Sequence, residues 1–194
     1  MTILKSLCVY CGSSNRVDPV HRQAAATLGR ILAENGVRLI YGGGRVGLMG
    51  ICADAAMAGG GEVIGVIPEH LNNAEVGHTG LTELRIVQSM HFRKNMMFEL
   101  ADAFAILPGG LGTLDETFEI VTWRQLGLHD KPIVLVDNAG YWSPLLKLID
   151  HTIAAGFARA TTHQLFTVVE RVEDVIPVIE AAPQPARVSA SGRF

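Results

Sequence analysis

The chain has 194 residues, of which 48% are hydrophobic and 18% charged, and its formal net charge at pH 7 is −3. This composition is typical of one globular domain with a large core, and it excludes an intrinsically disordered chain. The weak negative charge gives no basic surface for nucleic acid or anionic lipid, and no apolar run approaches the roughly 20 residues of a membrane span. The N-terminus carries no basic-then-apolar signal, so we expect a cytoplasmic protein.

Apolar runs alternate with longer amphipathic segments along the chain. The expected strands are, in order, SLCVYC, RLIYGG, EVIGVIP, ELRIVQS, AFAILPGG, PIVLVD and LFTVVE. The expected helices lie between and after them, in HRQAAATLGRILAENG, VGLMGICADAAMAGG, HFRKNMMFELAD, TLDETFEIVTWRQLG, SPLLKLIDHTIAAGF and VEDVIPVIEAA. Apolar strands that alternate with helices indicate a parallel sheet buried on both faces. The sequence therefore predicts a single Rossmann-like α/β domain with a doubly wound parallel sheet.

Two segments lack this alternation. The polar connection EHLNNAEVGHTGLT follows the third strand, and its length fits either a mobile flap beside a pocket or an ordinary surface loop. The tail PQPARVSASGRF is rich in proline, serine and alanine. We expect the domain to span residues 1–182 and residues 183–194 to be disordered.

Cys8 and Cys11 form a C-x-x-C pattern, which can carry redox chemistry. They lie on a strand that leads into a turn, and residues three apart on a strand face opposite sides of the sheet. We therefore expect no disulfide chemistry from this pair, and a packing role for Cys52 in its alanine-rich helix.

Glycine clusters follow three of the expected strands, at Gly12, at Gly42–Gly44 and at Gly109–Gly110. Ligands of doubly wound sheets bind outside the carboxyl ends of the strands, where glycine lets backbone N–H groups approach them. A helix that starts just beyond the glycines favours an anion. Each cluster alone would fit a tight turn, but three together favour a binding site for an anion such as phosphate.

The segment GGGRVG also matches the dinucleotide pattern G-x-G-x-x-G through Gly42, Gly44 and Gly47. It follows the second strand rather than the first, and the next strand ends in Pro68-Glu69 rather than in an acid placed for a ribose. A dinucleotide-dependent oxidoreductase is therefore the weaker alternative. The sequence contains no G-x-x-x-x-G-K-[ST], which argues against a P-loop nucleotidase or kinase.

The segment TLDE, which ends at Glu116, allows two interpretations. With Thr113 as the N-cap it is a capping box, and Glu116 binds its own backbone. If a phosphate instead occupies the amides of Gly110 to Thr113, Glu116 is free to point into the crevice, with Glu119 one turn further on the same face. Carboxylates there could stabilise the oxocarbenium-like transition state of N-glycosidic cleavage or orient the attacking water.

A second polar group occurs in HFRKNMM, where Arg93 and Lys94 fall in the first turns of a helix. Cations at that end oppose the helix dipole, so they are either a solvated pair or the partners of a specific anion. His70, His78 and His91 are scattered without metal-ligand spacing. We expect neither a metal nor a cofactor.

The segment PGGLGTLDE at 108–116 resembles the PGGxGTxxE signature of the LOG family, the cytokinin riboside 5′-monophosphate phosphoribohydrolases, often labelled lysine decarboxylases. The resemblance covers the chain up to about Ala182, through YCGSS, YGGGRVGLMG, GVIP, MHFRKNMM, TWRQLGLHDKPIVLVDNAGYW and AAGF in order and spacing. It implies hydrolysis of an adenosine 5′-monophosphate, plain or N6-modified, to the free base (adenine or a cytokinin) and ribose 5-phosphate. No lysine stands in a Schiff-base context, so the decarboxylase label lacks a mechanism.

Carried over residue by residue, the resemblance implies that Glu116 and Arg93 are catalytic. It places the substrate-binding residues at Gly43, Gly44, Lys94, Gly109, Gly110, Gly112, Thr113 and Glu119. It also implies a homodimer, or something larger, with pockets near the subunit boundary. The expected partner is a nucleoside 5′-monophosphate, not nucleic acid or a membrane. The alternative is a carrier that holds a nucleotide or phosphorylated cofactor on the same fold without turning it over.

Overall fold

The computed structural model describes residues 4–72 and 77–183 of the chain. The strands are β1 (Ser6–Tyr10), β2 (Arg38–Tyr41), β3 (Val63–Pro68), β4 (Glu83–Val87), β5 (Ala103–Ile106), β6 (Ile133–Val136) and β7 (Thr167–Val169). The α-helices are α1 (Pro19–Glu34), α2 (Gly47–Ala58), α3 (Glu69–Leu71), α4 (Met90–Leu100), α5 (Leu111–Gln125), α6 (Ser143–Ala154) and α7 (Val175–Ala181). Each apolar run identified in the sequence forms one of these strands.

All seven strands pair in one parallel sheet of order β4-β3-β2-β1-β5-β6-β7. The chain winds outwards from β1 to β4, returns to pair β5 with β1, and then winds the other way. This confirms the doubly wound prediction and places the switch point between β1 and β5, where such sheets bind ligands. The two strands are joined up to their carboxyl ends, since Leu107 N–H donates to Tyr10 O at 2.9 Å and Gly12 N–H to Pro108 O at 3.0 Å.

Two apolar clusters, one on each face of the sheet, form the core. Residues of α1, α2 and α7 pack on one face, and residues of α4, α5 and α6 on the other. Cys8 belongs to the second cluster and Cys11 to the first, which confirms that they face opposite sides. Both are free and buried, as is Cys52 in α2, and burial raises the pKa of the Cys52 thiol to about 12. None of the three is therefore placed for thiolate chemistry at neutral pH.

The segments that lacked the strand–helix pattern are described in part. Residues 73–76 of the connection after β3 and residues 184–194 of the tail lie outside the described residues, so the predicted boundary at 182 stays a prediction. On the far side of the gap, Gly77 pairs with Gly44 in an isolated antiparallel bridge. No helix in the described ranges is long and apolar enough to cross a membrane.

Candidate functional site

A crevice opens at the carboxyl ends of β1 and β5, at the switch point of the sheet. It contains about 610 Å³ of space outside the protein atoms, a figure that includes open solvent. Its walls are residues 11–13 after β1, Met49 of α2, Met90 and Arg93 of α4, and most of residues 110–116 at the start of α5.

The first turn of α5 presents backbone N–H groups to this crevice. The helix begins at Leu111 with Gly110 as N-cap, and none of the side chains that the structure describes caps it. The N–H groups of Gly110 to Thr113 find no acceptor among the residues that the structure describes. A Cβ at Gly110 or Gly112 would meet no atom within 4 Å, so neither glycine is required by packing against the protein. The turn combines unpaired donors with the positive end of a helix dipole and is suited to an anion.

The capping-box interpretation is wrong. Thr113 is the third residue of α5 rather than its N-cap, because the chain turns directly from Gly110 into the helix. Glu116 lies one turn further in, is only 7% exposed and borders the crevice. Its carboxylate faces α4 instead of the backbone of its own helix.

Arg93 of α4 meets Glu116 at the floor of the crevice. The side chain of Ser89 caps α4, and Arg93 in the first turn is 8% exposed. Its Nε donates to the Val66 carbonyl at 3.2 Å, and its Nη2 lies 3.5 Å from Oε1 of Glu116. Gly42 makes this possible, because a Cβ there would overlap the guanidinium. The arginine is thus held by a backbone carbonyl as well as by the carboxylate, in a fixed orientation.

Burial raises the pKa of Glu116 to about 7. Arg93 opposes this by favouring the carboxylate, while the neighbouring charges of Asp115 and Glu119 raise the pKa and that of Lys94 lowers it. Near neutral pH the group is therefore poised between its acid and base forms, as a proton-transfer group requires.

Lys94 and Glu119 lie together but outside the walls of the crevice. The Lys94 ammonium is 3.0 Å from Oε1 of Glu119 and 3.1 Å from Oδ2 of Asp115. Burial disfavours its charge, but the hydrogen bonds to the two carboxylates outweigh this and raise the pKa of Lys94. Lys94 therefore ties α4 to α5 beside the Arg93–Glu116 pair, with its charge already matched within the protein.

Gly43 and Gly44 likewise lie outside the crevice walls. Gly43 has a φ of +73°, which favours glycine, and its carbonyl accepts from the His78 N–H at 2.9 Å. Gly44 forms the bridge to Gly77. The second glycine loop is thus in contact with the connection that follows β3, the segment whose length fits either a flap or a surface loop.

Of the predicted site residues, the structure brings Arg93, Glu116, Gly110, Gly112 and Thr113 to one crevice. Gly109 lies just behind the turn, where a Cβ would clash with the side chain of Thr113.

Sequence reasoning missed other residues that border the crevice, namely Ser13, Met49, Met90, Leu111 and Asp115. Asp115 adjoins Glu116 and could have been noted. Leu111 lies within the predicted turn itself, whereas Ser13, Met49 and Met90 reach the crevice from separate elements, so no local signal marked them. Among the described residues, no three His, Cys, Asp or Glu side chains are grouped to hold a metal ion.

Comparison with known proteins shows the family to which the chain belongs. The family model described as possible lysine decarboxylase matches residues 49–179. The cytokinin riboside 5′-monophosphate phosphoribohydrolase of Rhodococcoides fascians is 46% identical over 91% of this chain and 90% of its own length. The cytokinin riboside 5′-monophosphate phosphoribohydrolase LOG of Oryza sativa subsp. japonica is 41% identical over 91% of this chain and 76% of its own length.

Solved structures share the fold at lower identity. The molybdenum cofactor binding protein of Rippkaea orientalis superimposes with a TM-score of 0.69 at 21% identity, over 92% of this chain and 96% of its own. At that identity the likeness shows the fold alone. The sequence matches also show the family, because they cover most of the chain at 40% identity or more. The chain belongs to the LOG family, the cytokinin riboside 5′-monophosphate phosphoribohydrolases whose shared model is described as possible lysine decarboxylase.

Proposed function

We propose that this chain hydrolyses the N-glycosidic bond of an adenosine 5′-monophosphate, plain or N6-modified, releasing adenine or a cytokinin and ribose 5-phosphate. The observation that carries the proposal is one crevice that holds both the N–H groups of the α5 turn, which lack an acceptor within residues 4–72 and 77–183, and the buried Arg93–Glu116 pair. The relatives named as phosphoribohydrolases supply the reaction class.

The phosphate binds at Gly110, Gly112 and Thr113. Their N–H groups, with that of Leu111, donate to its oxygens, and the α5 dipole favours its charge. Gly109 lets Thr113 pack close behind the turn. This anchor sets the ribose beside Glu116, one helical turn away along the same wall of the crevice.

Glu116 acts on the reacting carbon of the ribose. As the bond from C1′ to the base breaks, positive charge develops on the sugar, and the carboxylate stabilises it. The same carboxylate takes a proton from the water that attacks C1′, a transfer matched to its pKa of about 7. The oxygen of the water ends on C1′ as a hydroxyl group, and the proton that Glu116 takes up returns to the leaving base, directly or through solvent, so that the carboxylate is restored.

Arg93 contacts the substrate from the opposite wall. Its guanidinium is fixed by the Val66 carbonyl and faces Glu116, so it can hold a ribose hydroxyl or phosphate oxygen while keeping the carboxylate oriented. Lys94 and Glu119 support this pair from behind by joining α4 to α5. Gly43 and Gly44 contribute by holding the segment at 77–78 rather than by forming the walls of the crevice.

The protein acts as a homodimer in this proposal, with each crevice near the subunit boundary. Its support is an apolar groove between α5 and α6, lined by Val121, Ile149 and Phe166 and bordered by the half-exposed Phe118 and Leu148. Helix α5 connects the two sites, since its N-terminal residues line the crevice and later residues of the same helix line the groove. Light scattering coupled to size-exclusion chromatography should give twice the chain mass, whereas a single-chain mass would contradict the dimer.

We also propose a cytoplasmic location, which the three unpaired cysteines support because thiols persist in a reducing compartment.

Product analysis tests the activity. The protein is incubated in parallel with AMP, isopentenyladenosine monophosphate and adenosine, and free base and ribose 5-phosphate are quantified. Equimolar base and ribose 5-phosphate from a monophosphate, with little base from adenosine, is the expected result. Equal turnover of AMP and adenosine would contradict the role of the α5 turn, and an absence of products from both monophosphates would favour the carrier alternative.

A further inference from the structure

One contact to the α5 turn comes from an element that does not line the crevice. Tyr141 lies in the loop between β6 and α6, and its hydroxyl donates a 2.7 Å hydrogen bond to the carbonyl oxygen of Gly109. The ring is 40% exposed, so burial of its apolar surface does not account for its position. The contact spans 32 residues of sequence and joins the loop to the turn directly.

This hydrogen bond acts on the peptide group that carries the first free donor of the turn. The Gly109 carbonyl and the Gly110 N–H belong to one trans peptide group and therefore point in opposite directions. A donor on the oxygen fixes the plane of that group and polarises its N–H. Both flanking residues are glycines, which have no side chain to restrict the plane. Tyr141 supplies the restraint that the turn itself lacks.

The loop that presents Tyr141 is held in a strained conformation. Ala139 has φ 56° and ψ 29°, and it is the one non-glycine residue with positive φ in the described ranges. Asp137 anchors the loop by accepting from the Trp142 N–H and from the Ser143 hydroxyl. Such strain persists only where surrounding contacts impose it, and it concentrates at functional sites.

The ring of Tyr141 is restrained from a second side. It packs edge-on against His21 of α1, with ring centroids 5.4 Å apart. The Nδ1 atom of His21 in turn lies 3.1 Å from Oδ1 of Asn138 in the same loop. These contacts fix the loop and the ring to α1 independently of the hydrogen bond between the hydroxyl and the turn.

We propose that Tyr141 is a positioning residue for phosphate recognition. Its hydroxyl holds the Gly109–Gly110 peptide plane so that the Gly110 N–H faces the phosphate of the substrate. This inference deepens the proposed function and rests on it for the identity of the anion.

Tyr141→Phe tests the proposal, because it removes the hydroxyl and keeps the ring against His21. Calorimetric titration with ribose 5-phosphate and with AMP should show a Kd about three- to tenfold higher than for the wild type, as expected for one lost hydrogen bond. In turnover assays the KM for AMP should rise by the same factor with kcat nearly unchanged. The matched control is Tyr41→Phe, whose buried hydroxyl has no partner among the described residues and whose removal should alter neither constant.

A second variant, Ala139→Gly, keeps the hydroxyl and relieves the strain. It should raise the melting temperature and leave ribose 5-phosphate binding close to that of the wild type, because glycine adopts the same loop conformation without strain and the hydroxyl still reaches the turn.

Wild-type affinity for ribose 5-phosphate in Tyr141→Phe, or a fall in kcat at constant KM, would overturn the assignment. The binding data decide this point even if the wild type proves to release no base, so failure of the hydrolase assignment is seen separately.

Discussion

Two glycine-rich junctions of this sheet look alike in sequence and differ in what they offer a ligand. Both follow a parallel strand and open a helix, one from β2 into α2 and the other from β5 into α5. At α2, the Gly47 N–H donates to the Asn15 side chain and the Leu48 N–H to the Gly12 carbonyl, each at 2.9 Å. At α5, the corresponding N–H groups have no acceptor within the described ranges. The start of α2 is therefore closed, because other residues of the chain accept its N–H hydrogen bonds, whereas the start of α5 is open, because its N–H groups are available to a ligand.

The difference shows why the G-x-G-x-x-G match at Gly42, Gly44 and Gly47 is weak evidence for a dinucleotide. The glycines there serve the protein: Gly42 leaves room for Arg93, and Gly47, at φ +69°, packs against the backbone of Ser13. A pyrophosphate at α2 would compete with Asn15 and Gly12 for the same donors. Free backbone N–H groups, rather than the glycine pattern, distinguish the junction that can bind an anion.

The largest expected effect of a single substitution lies at the open junction. Glu116→Gln removes the carboxylate but keeps its shape, and we expect kcat for AMP to fall by about 10²–10⁴-fold, the usual contribution of a proton-transfer group. Calorimetry should show AMP binding nearly intact, because the phosphate is held by the turn. Glu99→Gln is the matched control, since that carboxylate is bound by Asn95 on the exposed side of α4. Undiminished turnover in Glu116→Gln would contradict the mechanism.

The comparison of the two junctions is tested by one substitution in each. Gly112→Ala places a methyl group in the open space of the α5 turn and should raise the KM for AMP about 10- to 100-fold, in line with lost charge-assisted hydrogen bonds, without lowering the melting temperature. Asn15→Ala removes the acceptor at α2 and should cost about 1 kcal/mol of stability while leaving the KM unchanged. The reverse pattern would show that the closed junction is the binding site.

A smaller effect concerns the pH dependence of kcat/KM. Burial raises the pKa of Glu116 to about 7, and because the carboxylate is the active form, kcat/KM should rise with pH and level off above about 7. Asp115→Asn removes a charge that raises this pKa, so the midpoint should move to lower pH, by less than about one unit. Asp150→Asn on α6 serves as control. A midpoint that stays in place in Asp115→Asn, or activity that falls as pH rises through 7, would contradict the assigned form.

Most of the fold could be predicted because each element carries its own signal. Seven apolar runs gave seven strands, and the segments between them gave the major helices, since strand burial and helix amphipathicity are local properties of sequence. The signature at 108–116 likewise placed the turn and Glu116 on adjacent parts of α5. The functional roles of Arg93 and Glu116 stay predictions, as do those of the eight residues named for substrate binding.

What could not be predicted were the partners of the charged groups. Nothing near Lys94 in sequence indicated that Asp115 and Glu119 would match its charge, and nothing near Tyr141 indicated a bond to Gly109. These contacts join residues that are 21 to 32 positions apart and depend on which strands become neighbours.

Local sequence patterns specify the parallel α/β architecture and the position of a glycine turn before an acidic helix, because strand burial, helix periodicity and turn chemistry act over a few residues. The tertiary structure alone decided which helix start stays open, where Arg93 meets Glu116, and how far burial raises the pKa of that carboxyl group. Those properties depend on what the packed sheet brings within a few ångströms, and distance along the chain does not specify it.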